Sequence, residues 1–123
     1  MFDFIFKKLN LFRKPEDEFV VTLTDEFVRV EHPKRKTEEI LWKEIDEIRL
    51  INTDAGPFQP DIWLVLIGEN GGCSIPNGSE GYSRVYDIVS EYDNFDFMNV
   101  ILSMSTAENR EFQLWKRQGS ASR

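Results

Sequence analysis

The chain has 123 residues, 41% of them hydrophobic, and a formal net charge of −7. Its length supplies one hydrophobic core, and its acidity disfavours nucleic acid as a partner because phosphate backbones are also negative. One cysteine and one histidine exclude an internal disulfide and a Cys/His metal site. No apolar run approaches the ~20 residues of a membrane span. We therefore expect a single cytoplasmic domain that needs no cofactor.

The first fifteen residues predict an amphipathic helix that Pro15 ends. Its residues 1–14, which we call the leader, hold four basic residues and one acidic residue, for a net charge of +3. Three roles are open: contact with an anionic membrane, packing on an open end of the sheet, or contact with a second chain. The residues that would touch a membrane are Phe2, Ile5, Phe6, Leu9, Phe12, Lys7 and Lys8.

Residues 16–118 predict a single α+β domain that begins with strands. Apolar and polar residues alternate along the first strands, as they do where one face of a sheet is buried. The basic stretch from His32 to Lys36 predicts an exposed loop, which either keeps the protein soluble or grips a phosphate or an acidic surface. The first four strands are predicted over 19–23, 27–31, 37–42 and 47–52.

Six consecutive apolar residues, Ile62 to Ile67, predict a central strand that is buried on both faces. A Pro/Gly-rich loop over 52–60 precedes this strand, and Phe58 at its centre either contacts a partner or covers an end of the core. The chain then turns and returns over 73–76. Cys73 lacks a basic neighbour in sequence, so an inert thiol is expected.

The C-terminal third predicts two helices and a last strand. Ser79 is the expected N-cap of the first helix, whose stripe carries three tyrosines, and Asp96 is the expected N-cap of the second. Residues 111–117 favour a strand over a helix, and residues 119–123 predict a disordered tail. The first stripe is Tyr82, Val85, Tyr86, Val89 and Tyr92, and the inward residues of the second helix are Phe97, Val100, Ile101 and Met104.

Residues Trp42, Ile45 and Ile48 are spaced by three and predict a tight corner between two strands. This Trp-x-x-Ile-x-x-Ile corner, with the hairpins around it, resembles the pleckstrin-homology-like domains of small bacterial proteins over about residues 18–105. The resemblance implies an antiparallel meander or partly open barrel of about six strands, closed by C-terminal helices. It also implies a non-catalytic scaffold that binds other molecules. No clustered basic pocket is evident, so lipid recognition is not carried over.

The charge distribution favours a basic protein partner. Residues 15–123 hold 21 acidic and 11 basic side chains. The acidic body resembles immunity-type inhibitors, the small acidic partners of bacterial nuclease toxins, which bind quickly by electrostatic steering. The simpler alternative is that acidity only maintains solubility. The candidate partner-binding residues are Phe58, Asp54, Asp61, Glu44, Asp46, Glu47 and Tyr82.

Catalytic signatures are lacking. The acidic residues do not follow the order of a calcium-binding loop, and His32 has no nucleophile pattern to serve. We therefore expect a protein that is not an enzyme. The alternatives are a peripheral membrane protein anchored by the leader, a carboxylate-dependent hydrolase and a homodimer that pairs through the tyrosine stripe.

Overall fold

The computed structural model describes residues 18–53, 62–105 and 109–118. Within these ranges the chain forms two antiparallel sheets and two short helices, so the predicted α+β class is confirmed. The leader, the tail over 119–123 and the loop residues Asp54, Phe58 and Asp61 lie outside the described residues. The elements are β1 (Val20–Leu23), β2 (Phe27–His32), β3 (Arg35–Leu41), β4 (Ile45–Asn52), β5 (Ile62–Gly68), β6 (Gly71–Pro76), α1 (Tyr82–Val89), α2 (Phe97–Met104) and β7 (Arg110–Lys116).

The first sheet is a meander in the order β1-β2-β3. The hydroxyl of Thr24 closes its first turn by accepting the backbone N–H of Phe27 at 3.0 Å. The second turn is shorter than the basic loop predicted from the sequence. His32 already pairs with Arg35, so the turn is Pro33-Lys34 alone and Arg35 and Lys36 belong to β3. The prediction of an exposed turn is confirmed, but its length over 32–36 is wrong.

The corner between the two sheets is the one that the tryptophan and isoleucine spacing predicts. Trp42–Glu44 forms a single 3-10 turn that leads from β3 into β4. The indole N–H of Trp42 donates to the carbonyl of Thr24 at 2.7 Å, while Ile45 and Ile48 are fully buried. The large side chains of the corner thus anchor the turn to the core and to the first hairpin.

The second sheet has the order β6-β5-β4-β7, with β5 in its interior. Leu64 and Leu66 of β5 are fully buried, whereas Trp63 and Val65 on the alternate face are only half-buried. The prediction that β5 is buried on both faces is therefore wrong, because the side chains of its alternate face stay partly accessible even where Trp63 packs against Phe19.

The two sheets meet along β3 and β6 through side chains. The carboxylate of Glu38 accepts the backbone N–H of Ser74 at 2.9 Å, and the thiol of Cys73 donates to the carbonyl of Val28 at 3.5 Å. In the described residues the strands form two sheets and do not close into a barrel. Seven strands are described, and the last of them, β7, follows the helices as the pattern of residues 111–117 predicts. The resemblance implies about six strands closed by C-terminal helices, whereas here the chain returns to the second sheet after the helices.

The helices lie between β6 and β7 in the chain. Gly81, with φ of 99°, is the N-cap of α1. Ser79 is not the cap as predicted, because its hydroxyl donates to the carbonyl of Pro76 at 2.7 Å. Val85 and Val89 of α1 are fully buried and the tyrosines are half-buried, as the stripe predicts.

Candidate functional site

The outer side of α2 carries most of the exposed large apolar residues of the described chain. Five such side chains lie there, between 44% and 77% exposed, and the two others in the described ranges are Val20 and Ile88. At about 100° per residue, the five cover an arc of about 160° around the helix. We call this surface the α2 face, and its members are Phe97, Met98, Ile101, Leu102 and Met104.

The exposure of this surface corrects the sequence prediction for the second helix. Of the four residues expected to point inward, only Val100 is buried, and Ser103 is buried with it. Phe97, Ile101 and Met104 face outward. The apolar pattern could not decide the orientation, because six of the eight residues of α2 are apolar and only Asn99 and Ser103 are polar.

Polar contacts at the edge of the second sheet set that orientation. The backbone N–H of Asp96 donates to the carbonyl of Leu114 at 2.7 Å, and the side-chain amide of Asn99 donates to the carbonyl of Gln113 at 2.8 Å. Near the other end of the helix, the amide of Asn52 donates to the carbonyl of Ser103 at 3.0 Å. These bonds hold the polar side of α2 against the sheet and leave its most apolar side outward.

The first turn of α2 is capped as the sequence predicts. The Asp96 carboxylate accepts the backbone N–H of Asn99 at 3.0 Å. Because a cap satisfies an otherwise unpaired donor and a carboxylate complements the helix dipole, Asp96 helps to hold this short helix in place.

A row of aromatic rings connects α1 to the α2 face. The ring centroids of Tyr82 and Tyr86 lie 6.5 Å apart, those of Tyr86 and Phe95 5.9 Å apart, and those of Phe95 and Phe97 4.8 Å apart. Burial raises the pKa of Tyr82 to about 12, so its hydroxyl stays protonated at neutral pH. Tyr82, a predicted contact residue, thus lies at the far end of a row of rings whose other end is part of the α2 face.

The segment of sequence that contains α2 and precedes it is acidic. Residues 85–105 contain four carboxylates and no lysine or arginine. The four side chains, Asp87, Glu91, Asp93 and Asp96, are all exposed. We call these four carboxylates the acidic border; they lie within ten residues before α2 in the sequence, and one of them, Asp96, is the N-cap of α2.

The predicted acidic residues around the corner lie at a different place. Glu44 and Asp46 line an open polar depression of about 330 Å³, together with Lys43, Glu69, Asn70 and Arg117. This depression lies at the Ile45 end of β4, and α2 is bound to the Asn52 end, about 23 Å away along the strand. Glu47 lies beside the depression and binds Arg49, which also binds Glu111.

Arg117 is the main structural group of the depression. Its guanidinium donates two hydrogen bonds to the carbonyl of Ile45 and one to that of Lys43, at 2.6 to 3.1 Å. The guanidinium also lies 3.4 Å from the Asp46 carboxylate. These contacts join the end of β7 to the corner, so the depression has a structural role.

The cysteine and the histidine, two residue types that enzymes use as a nucleophile or a base, have structural roles here. Burial raises the pKa of the Cys73 thiol to about 12, which leaves it protonated and unreactive at neutral pH. The Nδ1 atom of His32 accepts the backbone N–H of Lys34 at 3.0 Å, and its ring packs against Phe19. No cluster of three or more potential metal ligands occurs in the described ranges.

No helix within the ranges that the structure describes is long and apolar enough to cross a membrane. Comparison of the chain with protein-family models, with curated protein sequences and with solved structures gives no match in any of the three. The resemblance to pleckstrin-homology-like domains accordingly stays a prediction from the sequence pattern.

Proposed function

We propose that the protein is a non-catalytic protein-binding module whose α2 face binds a basic amphipathic helix of a partner protein. The observation that carries this proposal is the group of five exposed apolar side chains on two turns of helix. Single exposed apolar residues are ordinary on a protein surface, but contiguous groups mark places where another molecule binds.

The charge around the α2 face indicates which kind of partner helix would bind there. An apolar surface with a carboxylate border complements a helix that has an apolar stripe and flanking lysines or arginines. Opposite charges on the two rims accelerate encounter and fix the orientation of the complex. An immunity-type inhibitor that caps a basic, toxin-like protein is the concrete form of this proposal.

A membrane surface fits the α2 face less well than a protein does. An apolar helix face can enter the lipid interface, but such helices carry basic residues on their polar side, which anionic headgroups attract. The same headgroups would repel the exposed carboxylates of the acidic border, one of which caps α2. The carboxylate-dependent hydrolase is also less favoured, because Glu39, Glu47 and Glu111 bind arginines.

The proposal can be tested with a defined probe and one pair of matched variants. The probe is a fluorescent peptide of leucine and lysine, with its leucines at helical spacing, titrated with the full chain and followed by anisotropy. Ile101→Lys changes the α2 face, while Ile88→Lys makes the same change on α1 at a residue that is 43% exposed. Both variants add one positive charge, so their comparison cancels the general electrostatic effect.

We expect Ile101→Lys to weaken binding about tenfold and Ile88→Lys to weaken it less than twofold. Tenfold corresponds to about 1.4 kcal/mol, which is near the gain from covering the 58% of Ile101 that is exposed. A scrambled peptide of equal charge should bind weakly. Equal losses in the two variants, or equal binding of the scrambled peptide, would contradict the proposal.

A further inference from the structure

We infer that the leader binds the α2 face of its own chain when no partner is bound. The inference rests on the proposed function, because it assigns to the leader the chemistry that the α2 face is proposed to select. The leader would then be an internal competitor of the partner helix.

The leader has the composition that the α2 face requires. Its apolar residues recur at the spacing of one helical face, and its net charge is +3. The α2 face offers an apolar surface of two helical turns, and the segment that leads into α2 carries the four exposed carboxylates of the acidic border. The apolar stripe and the basic residues of the leader thus complement the apolar α2 face and its acidic border.

The chain is long enough for this contact. Described residues begin at Glu18, and the ring of Phe19 lies 5.5 Å from that of Trp63. Trp63 pairs with Ile51, which adjoins the Asn52 that binds Ser103 of α2. This path from Phe19 to α2 is on the order of 20 Å, while the three residues 15–17 can span at most about 10 Å and a 14-residue helix about 21 Å.

An intramolecular contact is favoured over a contact between two chains. A short connection gives the leader an effective concentration in the millimolar range at its own α2 face. Two copies that met through their α2 faces would bring their acidic borders together, and like charges oppose that association. The leader therefore fits the surface better than a second α2 face does.

Paramagnetic relaxation in the full chain tests the contact directly. A spin label is attached to Asn10→Cys, on the polar side of the predicted helix. Cys73 does not compete for the label, because it is buried and its pKa is raised to about 12. We expect amide signals of residues 97–105 to lose more than half their intensity, and those of residues 69–71, at the opposite end of β5, to keep theirs.

A mixed sample separates contact within one chain from contact between chains. Isotope-labelled chain without the spin label is mixed with unlabelled chain that carries it. The inference predicts no broadening of residues 97–105 in this mixture. Broadening of residues 97–105 in the mixture would overturn the inference. So would a spin label that leaves residues 97–105 of its own chain unbroadened.

Peptide binding provides a second readout, which also separates this inference from the proposed function. Phe6→Ser combined with Leu9→Ser removes two apolar residues of the leader without changing its charge, and Asn10→Ser is the control on its polar side. We expect the double variant to bind the leucine/lysine peptide at least fivefold more tightly than the control, because the competitor is removed. If the double variant and the Asn10→Ser control bind the peptide equally, while Ile101→Lys still weakens binding, the contact between the leader and the α2 face is overturned and the proposed function stands. If Ile101→Lys does not weaken binding, the proposed function is overturned.

Discussion

Replacement of Arg117 distinguishes the polar depression from the α2 face as the functional surface. The Arg117 guanidinium donates three hydrogen bonds to the carbonyls of Ile45 and Lys43 and lies beside the Asp46 carboxylate. Arg117→Ala removes all of these contacts. Because α2 lies at the other end of β4, the change should reduce stability without changing peptide binding.

The expected cost follows from the geometry. A hydrogen bond to a charged group contributes about 1.5 to 3 kcal/mol, but two of the three bonds share the Ile45 carbonyl and the side chain is 38% exposed. We therefore expect Arg117→Ala to lower the free energy of unfolding by about 2 kcal/mol. Arg117→Lys should lose about half of that amount, since an ammonium keeps the charge near Asp46 but cannot reproduce the planar fork of donors.

Urea denaturation followed by tryptophan fluorescence measures both variants. With an m-value of about 2 kcal/mol/M, the midpoint for Arg117→Ala should fall by about 1 M. Peptide affinity is then measured without denaturant, where the variant is folded. Unchanged stability would refute the assignment of Arg117 as a structural clamp, and a large loss of peptide affinity in a folded variant would place the functional surface at the depression.

Two further predictions concern the second sheet and its buried ionisable groups. Gly72→Ala should destabilise the fold by roughly 3 kcal/mol or more, because a Cβ atom there would lie 2.1 Å from the backbone oxygen of Leu66. Urea denaturation followed by circular dichroism would show the loss. A urea midpoint equal to that of the unchanged chain would show that β5 and β6 are not packed as described. The protein should also lose stability as the pH rises from 9 to 12, because burial raises the pKa of Cys73 from 9.0 to about 12 and that of Tyr82 from 10.0 to about 12. Below pH 9 both groups are protonated in the folded and unfolded chains, and at higher pH the unfolded chain loses these protons first. Urea midpoints at pH 8, 10 and 11 check this, and Cys73→Ala should show a shallower decline; an equal decline would contradict the role of the thiol.

Local patterns predict much of the fold because the forces that decide those parts act over short distances. Alternation predicts β1 and β2, the spacing of Trp42, Ile45 and Ile48 predicts the corner, and Asp96 is recognisable as a helix cap. The strand preference of residues 111–117 is also confirmed by β7. Each of these features depends on residues within a few positions of one another.

The orientation of α2 could not be predicted in the same way. Its sequence, Phe-Met-Asn-Val-Ile-Leu-Ser-Met, is apolar around most of the helix, so periodicity does not select an inward side. Hydrogen bonds from Asn99 to Gln113 and from Asn52 to Ser103 select it, and the second of these spans 51 positions of sequence. The signal available in the sequence was the excess of apolar residues over what one buried side of a short helix can use.

The Arg117 clamp was missed for a related reason. Arg117 and Ile45 are 72 positions apart, and nothing in the composition of either segment indicates that they meet. Long-range pairing of β4 with β7 brings them together. The predicted acidic contacts Glu44 and Asp46 thus lie beside an arginine that the sequence did not associate with them.

The measurement that tests the central claim most directly is a map of backbone amide shifts in the full chain as the leucine/lysine peptide is added. We predict saturable changes that are largest at residues 97–105 and small at residues 43–46 and 69–71. Largest changes around Glu44, Asp46 and Asn70, with residues 97–105 unaffected, would contradict the claim that the α2 face is the binding surface.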